Sequence, residues 1–128
     1  MERKHLSIFG TAYTLTKLLL RGRVPSKKNS RINTRSGRSF PSAKYTEWHK
    51  DASKQVLGAP KLTQKGITMS FWLPDNRRTD LNNKAASILD MLVDNGILED
   101  DSWQIIGEER YIPMGVDKDD PRVEIEYA

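Results

Sequence analysis

Hydrophobic and polar positions along this chain predict four strands and two helices. Residues 12–20 (Ala-Tyr-Thr-Leu-Thr-Lys-Leu-Leu-Leu) combine β-formers with partial alternation and predict a strand. Tyr45, Trp48, Ala52 and Val56 recur about one turn apart and predict a helix beginning at Pro41-Ser42, with Ser42 as N-cap and Gly58 and Pro60 as the stop. Residues 66–73 predict a second strand, followed by a turn at Pro74-Asp75-Asn76. Leu81, Ala85, Ile88, Leu89 and Leu92 form one apolar stripe of a helix over about 80–94, with Thr79 as its N-cap and Gly96 beyond its end. Asp80, Asn83, Lys84, Ser87 and Asp90 fall on the opposite, polar side. Residues 103–112 and 121–127 predict two more strands, the last alternating through Val123, Ile125 and Tyr127.

The order β-α-β-α-β-β predicts an α+β fold: a mixed sheet carrying two helices on one face, in a single compact domain over 1–128. Residues 21–41 stand apart. They are rich in Gly, Pro, Ser, Asn and Arg, nearly lack apolar residues, and predict a long basic loop of the kind usually kept for function or left disordered. No repeat or second domain is visible.

Charge sharpens this picture. Residues 1–78 carry 17 Lys/Arg against 4 Asp/Glu, and residues 79–128 carry 4 against 13. The net +4 therefore hides two oppositely charged parts, and no acid occurs between Arg3 and Thr46. A basic half of this size suits a polyanion such as nucleic acid, although two opposite halves also attract within one fold. The absence of cysteine excludes disulfides and thiolate zinc sites and fits a reducing cytoplasm. The N-terminal apolar run is too short for a signal peptide, and no stretch suits a membrane span.

The candidate chemistry lies between Asp80 and Asp101. Asp80 opens the second helix, Asp90 lies on it, and Glu99-Asp100-Asp101 follow its turn. Clustered carboxylates repel one another unless a cation holds them, and hard oxygen ligands with room for water suit Mg²⁺. Arg77 and Arg78 just before Asp80 suit phosphate. Taken singly, each acid has a plainer role: Asp80 stabilises a helix N-terminus, Asp80 and Lys84 form an i,i+4 pair, and Asp90 is a solvated charge. Their sequence proximity favours a shared site, provided that the chain doubles back at Gly96. His5 and His49 are isolated and carry no catalytic role in this reading. There is no P-loop, dinucleotide fingerprint or zinc pattern.

Three segments together resemble the RusA family of Holliday-junction resolvases. They are Val24-Pro25-Ser26-Lys27-Lys28-Asn29-Ser30-Arg31; Arg77-Arg78-Thr79-Asp80-Leu81-Asn82-Asn83 with Ile88-Leu89-Asp90-Met91-Leu92; and Gly96-Ile97-Leu98-Glu99-Asp100-Asp101. The resemblance covers roughly residues 12–127. It implies a homodimer that binds four-way DNA and cuts two strands symmetrically with one or two Mg²⁺ held by carboxylates. Asp80 and Asp101 match the family's first and last catalytic acids, with Asp100 and Asp90 alongside. Asp80, Asp100 and Asp101 are then the metal ligands, and Lys84 is a further catalytic candidate. Lys27, Lys28, Asn29, Arg31, Arg35, Arg38, Arg77 and Arg78 would contact DNA. A cytoplasmic bacterial or phage setting is expected on the same ground.

Two positions depart from the pattern. Asn82 stands where the family has a second Asp, and Ala86 where it has a Lys; Lys84 lies about half a turn earlier. The acid set is short of one charge, so a junction-binding protein with weak or no nuclease activity is the alternative.

Overall fold

The computed structural model describes residues 2–6, 12–27 and 31–128. In chain order these form β1 (Glu2–Leu6), β2 (Ala12–Arg21), β3 (Arg31–Asn33), β4 (Ser39–Pro41), α1 (Ala43–Gln55), β5 (Ile67–Leu73), α2 (Leu81–Asp94), α3 (Trp103–Ile106), β6 (Glu109–Val116) and β7 (Arg122–Tyr127). Five strands make one sheet in the order β1-β2-β7-β5-β6, and β3 and β4 make a separate two-stranded ribbon. Neighbours in the large sheet are antiparallel except β5 and β6, which run parallel. A parallel pair needs a crossover, and α2 with α3 provides it.

Period-two burial decides which face of the sheet is covered. Ile67, Met69 and Phe71 of β5 and Val123, Ile125 and Tyr127 of β7 are buried, with Leu20 of β2 beside them. They join Ala52 of α1, Val56 just after it, and Ala85, Ile88, Met91 and Leu92 of α2 in one core. Both long helices therefore lie on the same face. The other face carries charge instead: Lys17 pairs with Glu124 at 2.7 Å, and the Arg122 guanidinium lies 4.3 Å from the Trp72 ring centroid. Tyr127 is buried with its hydroxyl donating to the Pro60 carbonyl at 2.6 Å, so its polar end is satisfied.

The expected single sheet with two helices is corrected in three places. The basic segment 21–41 is not one loop, because Ile32 pairs with Phe40 across the β3–β4 ribbon. The strand expected at 103–112 begins only at Glu109. Trp103–Ile106 form a short helix, which Gly107 ends with φ 72° while its amide donates to the Trp103 carbonyl at 2.8 Å. A run such as Trp-Gln-Ile-Ile suits a strand or a buried helical turn equally, and the left-handed glycine decides between them. The third difference is β1, which the sequence pattern did not reveal. Within β6, Pro113 has no N–H to give, and the register with β5 shifts after Phe71 so that Trp72 faces Gly115.

α1 starts as expected: the Ser42 hydroxyl accepts from the Tyr45 amide at 3.1 Å. α2 starts one residue later than expected. Asp80, not Thr79, occupies the N-cap position, and its side chain makes no capping hydrogen bond. The polar side of α2 is not a solvent face either. Residues 24–27 cross it as a strap, with the Lys27 amide donating to Asn83 O at 3.2 Å, Ser87 Oγ to Pro25 O at 2.8 Å and Lys84 Nζ to Val24 O at 2.7 Å. Ser87 is fully buried beneath it.

Candidate functional site

The candidate residues fall into three places on α2 and around it. The first is its N-terminal end. Asp80 is exposed there, and its carboxylate accepts only a long 3.4 Å contact from Asn83 Nδ2 among the hydrogen bonds of the described residues. Asp80, Asn83, Ser26, Arg78 and Thr79 line a cavity of about 310 Å³. Arg78 and Thr79 also line a neighbouring cavity of about 220 Å³, together with Arg23, Asp75, Arg77 and Lys84. Four cations thus face one carboxylate. Asp75 takes hydrogen bonds from Arg77 Nε at 3.1 Å and from its NH2 at 2.8 Å, and lies 3.5 Å from Arg23.

Electrostatics in this second cavity favour an anion. The Arg77 guanidinium holds the Asp75 carboxyl below the usual carboxylate range. Lys84 is half-buried, and burial, reinforced by Arg23, lowers its pKa from the ordinary lysine value. A desolvated ammonium among guanidiniums gains most when a phosphate arrives.

The second place is the middle and last turns of α2, facing α1. Asp90 is half-buried between α1 and the strap: Tyr45 donates its hydroxyl to Asp90 Oδ2 at 2.7 Å, and Lys27 Nζ lies 3.4 Å from Oδ1. One turn on, Asp94 Oδ2 lies 2.8 Å from His49 Nε2. Burial and the Asp90 carboxylate together push the Tyr45 phenol well above its ordinary range. His49, Asp90 and Asp94 offer ligand atoms within 4.8 Å of one another, a cluster that could hold a metal ion. The sequence reading set His49 aside. Two i,i+4 pairs, Tyr45/His49 and Asp90/Asp94, were its available signal.

The third place is the turn after α2, where Glu99, Asp100 and Asp101 are exposed. The chain does bend at Gly96, with φ 72°. The bend does not return these acids to Asp80. Ile97 and Leu98 pack at the end of α2 where Leu62 donates to Ile97 O at 2.9 Å, and Ile106 O receives the Gly66 amide just before β5. Asp80 follows the opposite end of β5. A helix of 14 residues spans about 20 Å, so Asp80 and Asp100-Asp101 lie at opposite ends of α2.

This arrangement bears on the expected ion. Asp80, Asp100, Asp101 and Asp90 do not converge within one chain, so they do not fit Mg²⁺ there. Among the described residues, the three-membered group that does converge includes an imidazole, a softer donor than Mg²⁺ prefers.

Of the expected DNA contacts, Arg77 and Arg78 line the first cavities, where Arg23, which was not among those expected, joins them. Arg31 folds across the ribbon, donating to Ser39 Oγ at 3.1 Å and to Ser39 O at 2.8 Å. Arg35 and Arg38 are exposed on the ribbon. Lys27 is turned toward Asp90. Lys28 and Asn29 lie outside the described residues.

The family model for endodeoxyribonuclease RusA matches residues 22–127, nearly the whole chain. The protein belongs to the RusA family of nucleases. No curated protein matches it. Among the described residues, no helix is long and apolar enough to cross a membrane.

Proposed function

We propose that this protein is a structure-selective DNA endonuclease that resolves four-way junctions by paired symmetrical cuts and acts as a homodimer. The observation that carries the reading is the cation-walled cavity of Arg23, Arg77, Arg78 and Lys84 beside the exposed Asp80, whose carboxylate makes no capping hydrogen bond. A phosphate held by those cations would sit next to a carboxylate. Arg77 and Asp75 brace each other, so the cavity wall is positioned before DNA arrives. Arg35 and Arg38 on the ribbon would track a DNA arm by phosphate contacts, which position without reading sequence.

A second copy supplies what one chain lacks. A two-fold axis that sets two α2 helices antiparallel would bring Asp80 of one beside Asp100 and Asp101 of the other, twice per dimer. A carboxylate set gathered in that way suits Mg²⁺, which would activate water for phosphodiester hydrolysis. Two equivalent sites suit two symmetry-related strands.

Asn82 favours a second reading. It is exposed beside Asp80 and brings a carbonyl oxygen where the family pattern has a charge. With Ala86 also departing, the protein would bind junctions and cut them poorly.

A labelled synthetic four-way junction and a linear duplex of the same sequence, each with and without Mg²⁺, separate these readings on native and denaturing gels. Paired nicks on opposing strands, lost without Mg²⁺ and in Asp80→Asn, are expected. A junction-selective shift without nicks would leave the binding reading. No junction preference would remove both.

A further inference from the structure

We infer that the Ile32–Phe40 pair on the β3–β4 ribbon is a wedge that enters an already unstacked base step at a DNA branch point; this rests on the junction reading above. Ile32 and Phe40 are directly opposite in the ribbon register, so their side chains share one face. Both are large and apolar, and both are more than 40 % exposed, at 43 % and 44 %. Among the described residues, neither belongs to the hydrophobic core or to the partly buried side chains packed against it. An exposed apolar pair of this kind is either an interface or a liability.

Its surroundings say which partner fits. Arg31, Arg35 and Arg38 are the charged residues of the ribbon and its turn, and the acid beside it, Asp90, lines a cavity with Arg31 and Pro41 and is already engaged by Tyr45 and Lys27. Trp103 is also exposed, at 72 %, but stands beside Asp100 and Asp101, where phosphate is repelled. Apolar side chains flanked by guanidiniums match a nucleic acid, whose bases offer apolar faces between charged phosphates.

The ribbon is also built before any partner arrives. The Thr34 amide donates to Arg38 O at 2.9 Å, the Gly37 amide to Thr34 O at 3.1 Å, and Gly37 takes φ 82°, which a side chain would resist. Arg31 staples one strand to the other through Ser39. Little ordering entropy remains to oppose insertion.

Selectivity then follows from the DNA. Parting a stacked step in continuous duplex has a free-energy cost, and a branch point has lost part of that stacking already. The same wedge therefore gains more at a junction than on an arm, with no sequence read.

The test uses the full-length protein and measures affinity by anisotropy for a four-way junction and for one of its arms as linear duplex, over a salt series. In Phe40→Ala, junction affinity should fall roughly tenfold, the range of one base-stacking contact, and arm affinity less than about twofold. The salt slope should stay unchanged, because no charge is removed. Phe40→Trp should keep junction affinity, and Ile32→Ala should lose part of it. Thermal melting checks that each variant folds. Equal losses on junction and arm, or no loss on either, would overturn the wedge while leaving the junction reading standing. A wild-type dimer that becomes monomeric in sedimentation on Phe40→Ala would overturn it by making the pair a contact between copies. Absence of junction preference in the wild type would remove both readings together.

Discussion

Lys84 shows how a side chain can be placed correctly on a helix while its neighbours go unforeseen. Helical periodicity puts it on the polar side of α2, and it is there, but its ammonium lies under the Val24–Lys27 strap and donates to Val24 O at 2.7 Å. The strap could not be foreseen, because nothing local in residues 24–27 signals that their carbonyls meet a helix some 60 residues away. Burial lowers the Lys84 pKa in the folded chain. The unfolded chain then holds this proton more tightly, so the contribution to stability becomes more favourable as pH rises from the folded value to the ordinary lysine pKa of about 10.4. Urea midpoints of wild type and Lys84→Met, taken from pH 7 to about 10.4, should diverge in that direction, with wild type gaining relative to the variant. A difference that stays flat across the window would show that Lys84 keeps its ordinary pKa. Asp90 is the same for an acid: its spacing placed it on the polar side of α2, and the structure adds that one oxygen accepts from Tyr45 and the other faces Lys27.

At the scale of elements, strong periodicity was legible and weak local signals were not. α1 with its Ser42 cap, β5, α2 and β7 lie within a residue or two of the positions their patterns predict, because each buries a full face against the same core. The ribbon and α3 are too short for a pattern to show. Both depend on glycines in left-handed conformations, Gly37 and Gly107. Gly107 also has a tertiary constraint: a Cβ there would come within 2.9 Å of Lys65 Cβ. Gly107→Ala should therefore destabilise the protein by roughly 1–3 kcal/mol, from the positive φ and the contact together. A chemical denaturation curve checks this. A midpoint within error of wild type would mean that the 103–108 segment shifts freely, and that the short helix does not set where β6 begins.

At the scale of the molecule, the division of charge was visible in the sequence, and its use in space was not. The acids cluster in sequence around α2, but Asp80 precedes a helix of 14 residues, about 20 Å long, and Asp100 and Asp101 follow the turn at its other end. Expecting them to meet overlooked that length, which the predicted helix already implied. If two chains complete each site, complementation follows by arithmetic. Asp80→Asn and Asp101→Asn proteins should each be inactive alone. In a mixed dimer, one site receives both altered residues, and the other receives Asp80 from one chain and Asp101 from its partner, both intact. Mixing the two inactive proteins and allowing subunits to exchange should then restore nicking on one strand of a junction, without the paired second cut. If each chain instead carried its own complete site, every site in the mixed dimer would hold one altered acid and no cleavage would return. Mass analysis of the mixture confirms that exchange has occurred, so continued inactivity in a verified heterodimer counts against the shared site, not against dimer formation.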